Sequence, residues 1–191
     1  MIVIINNYDS FTYNLFQYVG KFYNHISVIN NDDSKLQDLN ISNVKAFIFS
    51  PGPGKPNDTG FMPEIISKHY SDIPMLGICL GHQAIVESFG GEVINSNEVC
   101  HGKVHQMRHL SNSNIFNNIN VEFFATRYHS LIVNKENFPN NLNVTAVTCK
   151  NEQIMAIQHK KYKVFGLQFH PESIETIDGL KMIENFIEVI Y

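Results

Sequence analysis

Gly77-Ile78-Cys79-Leu80-Gly81 sets a cysteine between two glycines, after an apolar run from Ile73 to Ile78 and before a helix-like stretch from His82 to Phe89. A nucleophile lifted off the end of a strand by a tight turn needs small neighbours on both sides, because the backbone there is strained and crowded. The first turn of the following helix aims free N–H groups and its positive dipole end at the sulfur, which favours thiolate over thiol. Cys79 is therefore a candidate nucleophile, against the plainer alternative of a buried cysteine packed between glycines. His170-Pro171-Glu172 follows the apolar stretch Val164 to Phe169. Proline keeps the residue before it extended, and alternate residues of an extended segment share a face, so His170 and Glu172 can point the same way. A cysteine nucleophile needs a proton-carrying partner, and that histidine needs an acceptor to fix its tautomer. His82 is nearer to Cys79 in sequence, but Glu87 is the one carboxylate at a fixed offset from it. Ser50-Pro51-Gly52-Pro53-Gly54-Lys55-Pro56 closes another strand-like run, Ala46 to Phe49. Acyl transfer from an amide needs N–H donors aimed at the developing oxyanion, and the backbone N–H groups of Gly54 and Leu80 are the candidates. The plainer alternative for this loop is a rigid turn. It is no phosphate cradle, because it lacks the G-x-G-x-x-G pattern and the Lys-Ser/Thr pair of a P-loop.

These residues need strands and helices to present them. Ile2 to Ile5, Ile26 to Ile29, Ala46 to Phe49 and Met75 to Cys79 read as strands; Phe11 to Phe22, Phe61 to Tyr70 and Gly81 to Phe89 read as helices, the first behind the capping candidates Asp9 and Ser10. This alternation predicts βαβ units and a mostly parallel sheet with helices on both faces. Beyond Gly91 the pattern shortens to Glu92–Ile94, Val121–Phe124, Leu142–Thr148, Gln153–Gln158 and Val164–Phe169, which predicts antiparallel pairs. Asn112 to Asn120 reads as a polar loop and Asp178 to Ile190 as a closing amphipathic helix. No linker, repeat or low-complexity tract divides the chain, so residues 1–191 are expected to form a single domain.

The length of 191 residues, with 43% hydrophobic and 17% charged residues, suits one compact core. A net charge of −4 gives no basic footprint for nucleic acid, and Ile2 to Ile5 is too short for a signal peptide or a membrane span. The expectation is a soluble cytoplasmic protein. The cysteines Cys79, Cys100 and Cys149 are odd in number and widely spaced, which argues against a disulfide framework. His101, His105 and His109 follow Cys100 at four-residue intervals, but Gly102 interrupts any helix that would align them, so no metal site is expected.

Taken together, Ser50 to Pro56, Gly77-Ile78-Cys79-Leu80-Gly81-His82-Gln83 and Phe169-His170-Pro171-Glu172-Ser173 resemble, in order, the motifs of class I glutamine amidotransferases with a Cys-His-Glu triad. Tyr8-Asp9-Ser10-Phe11-Thr12-Tyr13-Asn14, His101-Gly102-Lys103 and Arg127-Tyr128-His129-Ser130-Leu131 narrow the resemblance to the glutaminase subunits of anthranilate synthase and aminodeoxychorismate synthase. Asn6 stands where an aspartate is common in that family, and Cys100 where a methionine is.

The resemblance implies a flavodoxin-like three-layer α/β sandwich with an added small antiparallel sheet. It also implies hydrolysis of L-glutamine through a thioester on Cys79, with His170 moving protons and Glu172 orienting it. Gln83, with the backbone of Gly52, Pro53, Gly54, Ser130 and Leu131, would form the glutamine pocket. The ammonia would pass to a chorismate-using synthase on another chain, where Mg²⁺ is expected; no cofactor is expected in this one. Asp9, Ser10, His101, Gly102 and Lys103 are candidates for the partner-facing surface of a hetero-dimer or hetero-tetramer. The alternatives are a stand-alone γ-glutamyl thiol hydrolase of the same fold and a non-catalytic regulatory module. Nothing in the chain distinguishes an anthranilate product from 4-amino-4-deoxychorismate, because that chemistry belongs to the partner.

Overall fold

A computed structural model describes residues 1–110 and 113–191. In chain order the elements are β1 (Ile2–Asn6), α1 (Thr12–Gly20), β2 (Ile26–Asn30), β3 (Ala46–Phe49), α2 (Met62–His69), β4 (Met75–Ile78), α3 (Leu80–Ser88), β5 (Val93–Asn95), β6 (Lys103–His109), β7 (Glu122–Arg127), β8 (Leu131–Val133), β9 (Leu142–Thr148), β10 (Ile154–His159), β11 (Val164–Leu167) and α4 (Gly179–Ile190). A nine-stranded sheet runs β2-β1-β3-β4-β11-β10-β9-β6-β7, with β5 and β8 forming a separate antiparallel pair. From β2 to β11 the neighbours are parallel, and from β10 onward they are antiparallel. The antiparallel strands predicted from the second half of the sequence therefore extend the main sheet as well as forming the small one.

Side-chain alternation explains the three layers. On β1, Ile2 and Ile4 face the layer built from α1 and α4, where they meet Leu15, Val19, Met182, Ile183 and Phe186. Val3 and Ile5 face the opposite layer, where α2 and α3 contribute Met62, Ile65, Ile66, Ala84, Ile85 and Val86. Strands β1, β3 and β4 are buried on both sides and so read as unbroken apolar runs, as parallel strands between helices must. Each Ile or Val fully buried there contributes about 1.5–3 kcal/mol, so burial of this sheet dominates the stability of the half that carries Cys79.

Three expectations need correction. The cap of α1 is Phe11, in helical conformation and without a side-chain cap bond. Asp9 instead accepts the Phe11 N–H at 2.8 Å, and the Thr12 hydroxyl donates to Asn6 at 2.8 Å, so the turn is held by Asx geometry from outside the helix. Asn112 lies outside the described residues, and the rest of the loop to Asn120 is not simply polar. A 3₁₀ turn at Asn114–Phe116 buries Ile115 and Phe116, and Asn185 of α4 donates to the carbonyls of Ile115 and Asn117 at 2.8 and 2.9 Å. Strands β6 and β8 lie where the sequence pattern predicts none.

Replacing Asn185 with alanine removes the donor shared by the buried Ile115 carbonyl and the partly buried Asn117 carbonyl. The expected loss is about 2–3 kcal/mol, read as a lower urea midpoint at unchanged slope.

Candidate active site

The cysteine elbow is a single residue wide. β4 ends at Ile78, α3 starts at Leu80, and Cys79 between them has φ +52° and ψ −100°, a positive φ that a non-glycine residue rarely adopts. Holding it there costs about 1–3 kcal/mol, and the surroundings explain how the turn survives. A Cβ on Gly77 would lie 2.4 Å from the Gly81 carbonyl, and one on Gly81 would lie 2.5 Å from the Phe49 oxygen. The two glycines let strand, helix and the neighbouring β3 touch backbone to backbone. The Cys79 N–H donates to Leu167 O at 2.7 Å, and its carbonyl accepts from Gln83 N at 3.0 Å, so both sides of the elbow are tied down.

The parallel register of β4 with β11, Gly77 against Gly166 and Ile78 against Leu167, carries the chain past the elbow to His170. Beyond the strand, His170 N donates to Thr126 O at 3.0 Å and Thr176 Oγ1 donates to His170 O at 2.7 Å. The sequence predicts an extended His170-Pro171-Glu172, but the chain turns here, with Pro171 and Glu172 in a turn closed by Ser173 N donating to His170 O at 3.3 Å. The turn brings the side chains together, Nδ1 2.7 Å from Glu172 Oε1, and leaves them 3% and 0% exposed. Burial disfavours the charged imidazole, but the Glu172 carboxylate and the nearby Cys79 sulfur outweigh it and hold His170 well above the usual histidine range. Its Nε2 is buried without a hydrogen-bond partner, while the Cys79 thiol faces the Tyr128 carbonyl at 3.9 Å. Phe11 and Tyr128 pack edge-on against the His170 ring at 5.8 and 5.1 Å. His82, the other histidine beside Cys79, is fully buried, and burial, opposed only by the Gly166 backbone, pushes it down to about 3.

Gly52, Pro53, Gly54, Cys79, Leu80, Gln83, Tyr128, His129, Ser130 and Leu131 line one cavity of about 190 Å³, so the structure brings together every residue assigned to the pocket from sequence. Leu80 opens α3, so its N–H has no partner within the helix. Gly54 has φ +86°, and a Cβ on Gly52 would come within 2.5 Å of Asn7. Gln83 Nε2 donates to Leu131 O at 3.2 Å and to Gln168 Oε1 at 3.1 Å. Both amide hydrogens are thus used, and only the amide oxygen is left for a ligand, as an acceptor.

Sequence reasoning missed the residues that brace this pocket. Asn7 is buried, donates to Ser50 O at 2.8 Å, takes the Ser50 hydroxyl as acceptor for its own N–H at 2.9 Å, and receives Asn31 at 2.9 Å. Arg127, 1% exposed, donates through Nε to His129 Nε2 at 3.0 Å, and His129 Nδ1 lies 2.8 Å from Leu131 O. Burial and the Arg127 charge push His129 down to about 3, so it stays neutral. Among the candidate interface residues, His101 packs edge-on against Tyr128 at 5.5 Å, and Gly102 at φ +67° approaches the same ring, while Lys103 pairs with Glu98 at 3.3 Å. Phe11, next to Asp9 and Ser10, meets Tyr128 from another side at 5.4 Å. Both motifs therefore converge on the aromatic ring that contacts His170. His105 and His109 lie on strand β6.

A family model for class-I glutamine amidotransferases matches residues 3–189. The chain belongs to this family. It is 47% identical over 190 residues to anthranilate synthase component 2 of Lactococcus lactis subsp. lactis, covering 100% of this chain and 95% of that one. It is 43% identical over 188 residues to the aminodeoxychorismate/anthranilate synthase component 2 of Bacillus subtilis, covering 98% and 96%. Among solved structures, a GMP synthase-type protein from Thermoplasma acidophilum superposes with TM-score 0.86 at 21% identity, covering 99% of this chain and 92% of that one. A glutamine amidotransferase from Thermotoga maritima superposes with TM-score 0.73 at 18% identity, covering 98% and 80%. These likenesses give the fold. Among the described residues no helix is long and apolar enough to cross a membrane.

Gly81→Ala places a methyl against the Phe49 backbone, which cannot yield as a side chain would. The elbow is expected to open, with stability falling by about 3 kcal/mol and Cys79 alkylated by iodoacetamide at a different rate from the unsubstituted protein. Glu172→Gln removes the charge that raises His170 and leaves the burial that lowers it. NMR titration of the ring should show a lower midpoint than in the unsubstituted protein. Because the folded-state value is raised, the pair contributes stability fully below about pH 6.5 and loses it as pH rises through the folded-state value. Unfolding free energy should decline over that interval in the unsubstituted protein, with the decline much reduced in Glu172→Gln.

Proposed function

We propose that the chain hydrolyses the side-chain amide of L-glutamine through a thioester on Cys79 and delivers the ammonia to a chorismate-using synthase subunit. The product would be anthranilate, 4-amino-4-deoxychorismate, or both. The observation that carries this is the buried 2.7 Å His170–Glu172 pair beside an elbow cysteine that opens into a pocket of about 190 Å³. The Lactococcus and Bacillus relatives, both synthase components by name, support the synthase assignment.

In this reaction the Cys79 thiolate adds to the amide carbon, and the oxyanion is met by the N–H groups of Leu80 and Gly54. His170, whose Nδ1 proton is held by Glu172, carries on Nε2 the proton taken from the Cys79 thiol and passes it to the departing nitrogen, which leaves as ammonia. Water, deprotonated by His170, then attacks the thioester, and glutamate leaves as the carbon–sulfur bond breaks. The glutamine head group is held by the backbone of Gly52, Pro53, Gly54, Ser130 and Leu131, and its ammonium donates to the Gln83 oxygen. Free ammonia becomes ammonium near neutral pH and stops being a nucleophile, so a directly docked acceptor enzyme is needed. Asp9, Ser10, His101, Gly102 and Lys103 form the docking surface, placed so that pressure on Phe11 and on Tyr128 reaches the His170 ring. The assembly would be a cytoplasmic hetero-dimer or hetero-tetramer, with Mg²⁺ bound in the synthase partner and no cofactor in this chain.

Mixing this chain with each chorismate-using synthase of the same genome, with glutamine, chorismate and Mg²⁺, identifies the product by chromatography. In that mixture Cys79→Ser should abolish synthesis from glutamine and leave synthesis from added ammonia intact. Equal loss with both nitrogen sources would contradict the transfer of ammonia. Glutamate release unaffected by either partner would instead indicate a stand-alone thiol hydrolase.

A further inference from the structure

Gln168 lies just beyond β11, is 0% exposed, and belongs to neither the triad nor the cavity lining. Its Nε2 is 3.6 Å from Cys79 Sγ, and its Oε1 accepts from Gln83 Nε2 at 3.1 Å. The direction of these bonds follows from two groups that can play only one role each. Arg127 can only donate, so its Nε, 3.0 Å from His129 Nε2, makes that nitrogen an acceptor and leaves the ring proton on Nδ1. That proton goes to Leu131 O at 2.8 Å. The carbonyl can only accept, so the Gln83 atom 3.2 Å from it is the amide nitrogen. The same nitrogen meets Gln168, which must present its oxygen there and therefore its NH₂ to the sulfur. Turning the Gln168 amide over would set NH₂ against NH₂ and a carbonyl oxygen against Cys79.

We propose, resting on the glutaminase function above, that Gln168 is a further catalytic residue, whose amide N–H donates to the Cys79 sulfur and stabilises its anionic form. Gln83 is the positioning residue that keeps this amide from rotating, while its own oxygen serves the substrate. The sulfur carries negative charge at two points in the cycle. At the start, its electron pair forms the bond to the amide carbon while the carbonyl π pair moves to oxygen; collapse then breaks the C–N bond, and nitrogen takes a proton from His170. At the end, water has added, its proton is on His170, and collapse breaks the C–S bond, returning the pair to sulfur. A donor on sulfur raises the thiolate fraction but lowers its nucleophilicity, so the two effects largely offset during attack. Nothing offsets the donor when thiolate is the leaving group. Gln168 therefore acts mainly on thioester breakdown.

The test uses Gln168→Met, which keeps length and volume without a donor, and Gln168→Glu, which keeps an oxygen for Gln83. Cys79 alkylation by iodoacetamide is followed against pH on the folded chain, resolved by peptide mass from Cys100 and Cys149. Glutamine turnover with the synthase partner is quenched in acid and assayed for the thioester. In Gln168→Met, kcat should fall about 10- to 100-fold, the size of one hydrogen bond to a charged group, with KM little changed. The alkylation midpoint should move to higher pH and the thioester should accumulate. In Gln168→Glu the carboxyl ionises before the thiol and sets a like charge beside it, so the midpoint again moves up. Unchanged kcat, or a fall in kcat with an unmoved midpoint and no accumulated thioester, would overturn the proposal and leave Gln168 as packing. If Gln168→Met does not fold, the midpoint and thioester level of Gln168→Leu, equally without a donor, decide, because a like charge alone would shift the Gln168→Glu midpoint. Failure of the glutaminase function would appear separately, as an unsubstituted complex that releases no glutamate, and the alkylation profiles would still report the hydrogen bond.

Discussion

Everything at the candidate site depends on one backbone contact, Gly81 against the Phe49 carbonyl, which a single methyl group would fill. That contact lets α3 start at Leu80, directly after a cysteine at φ +52°, so the sulfur stands clear of the sheet while the helix N-terminus faces the same space. The strain is carried by the fully buried β3, β4 and β11 rather than by the loop itself. The three strands are parallel neighbours, and the chain leaves each at the same edge. It does so as the Ser50–Pro56 loop, the Cys79 elbow and the segment leading to His170. The convergence of three distant sequence motifs is thus a property of parallel pairing.

Around the elbow, polar groups are buried in pairs whose roles are fixed. Glu172 opposes the burial of His170 and keeps it ready to hold a proton. Arg127 and burial keep His129 neutral, so it donates to the Leu131 carbonyl and orders the strand-to-loop junction that lines the pocket. The unpartnered Nε2 of His170 and the Cys79 thiol turned toward the Tyr128 carbonyl describe a site whose two reacting side chains are adjacent but not hydrogen-bonded to each other. Tyr128, whose carbonyl faces the Cys79 thiol and whose ring packs on His170, is itself touched by both His101 and Phe11.

The sequence made legible whatever is local. The βαβ half was readable because strands buried on both faces are continuous β-branched and aromatic runs; the His170/Glu172 pairing was foreseen from an extended segment but is made by a turn closed between His170 O and Ser173 N. The glycines around Cys79 signalled close packing before the partner atoms were known. Strand β6 was missed because Lys103-Val104-His105-Gln106-Met107-Arg108-His109 buries only Met107 completely. Strand β8 was missed because it is three residues long. Arg127 and His129 stood in a quoted motif, two residues apart, but nothing in it marked them as a buried pair, whereas Asn7 and Gln168 were missed for a different reason. Asn7 pairs with Ser50 and Gln168 with Cys79, across 43 and 89 residues, and only strand register brings them together. A signal was present in Gln168 itself, a lone amide following the apolar stretch Val164 to Leu167, because a polar group buried there requires a partner.

The central claim is that Cys79 carries the acyl group of glutamine while the chain is engaged with its synthase. The direct measurement is peptide-resolved mass spectrometry of the complex, quenched in acid during turnover with glutamine. A γ-glutamyl group on Cys79, absent from Cys100 and Cys149 and lost when glutamine is exhausted, is the result this account predicts. Sustained glutamate release with Cys79 never modified, or continuing in a Cys79→Ser complex, would contradict it.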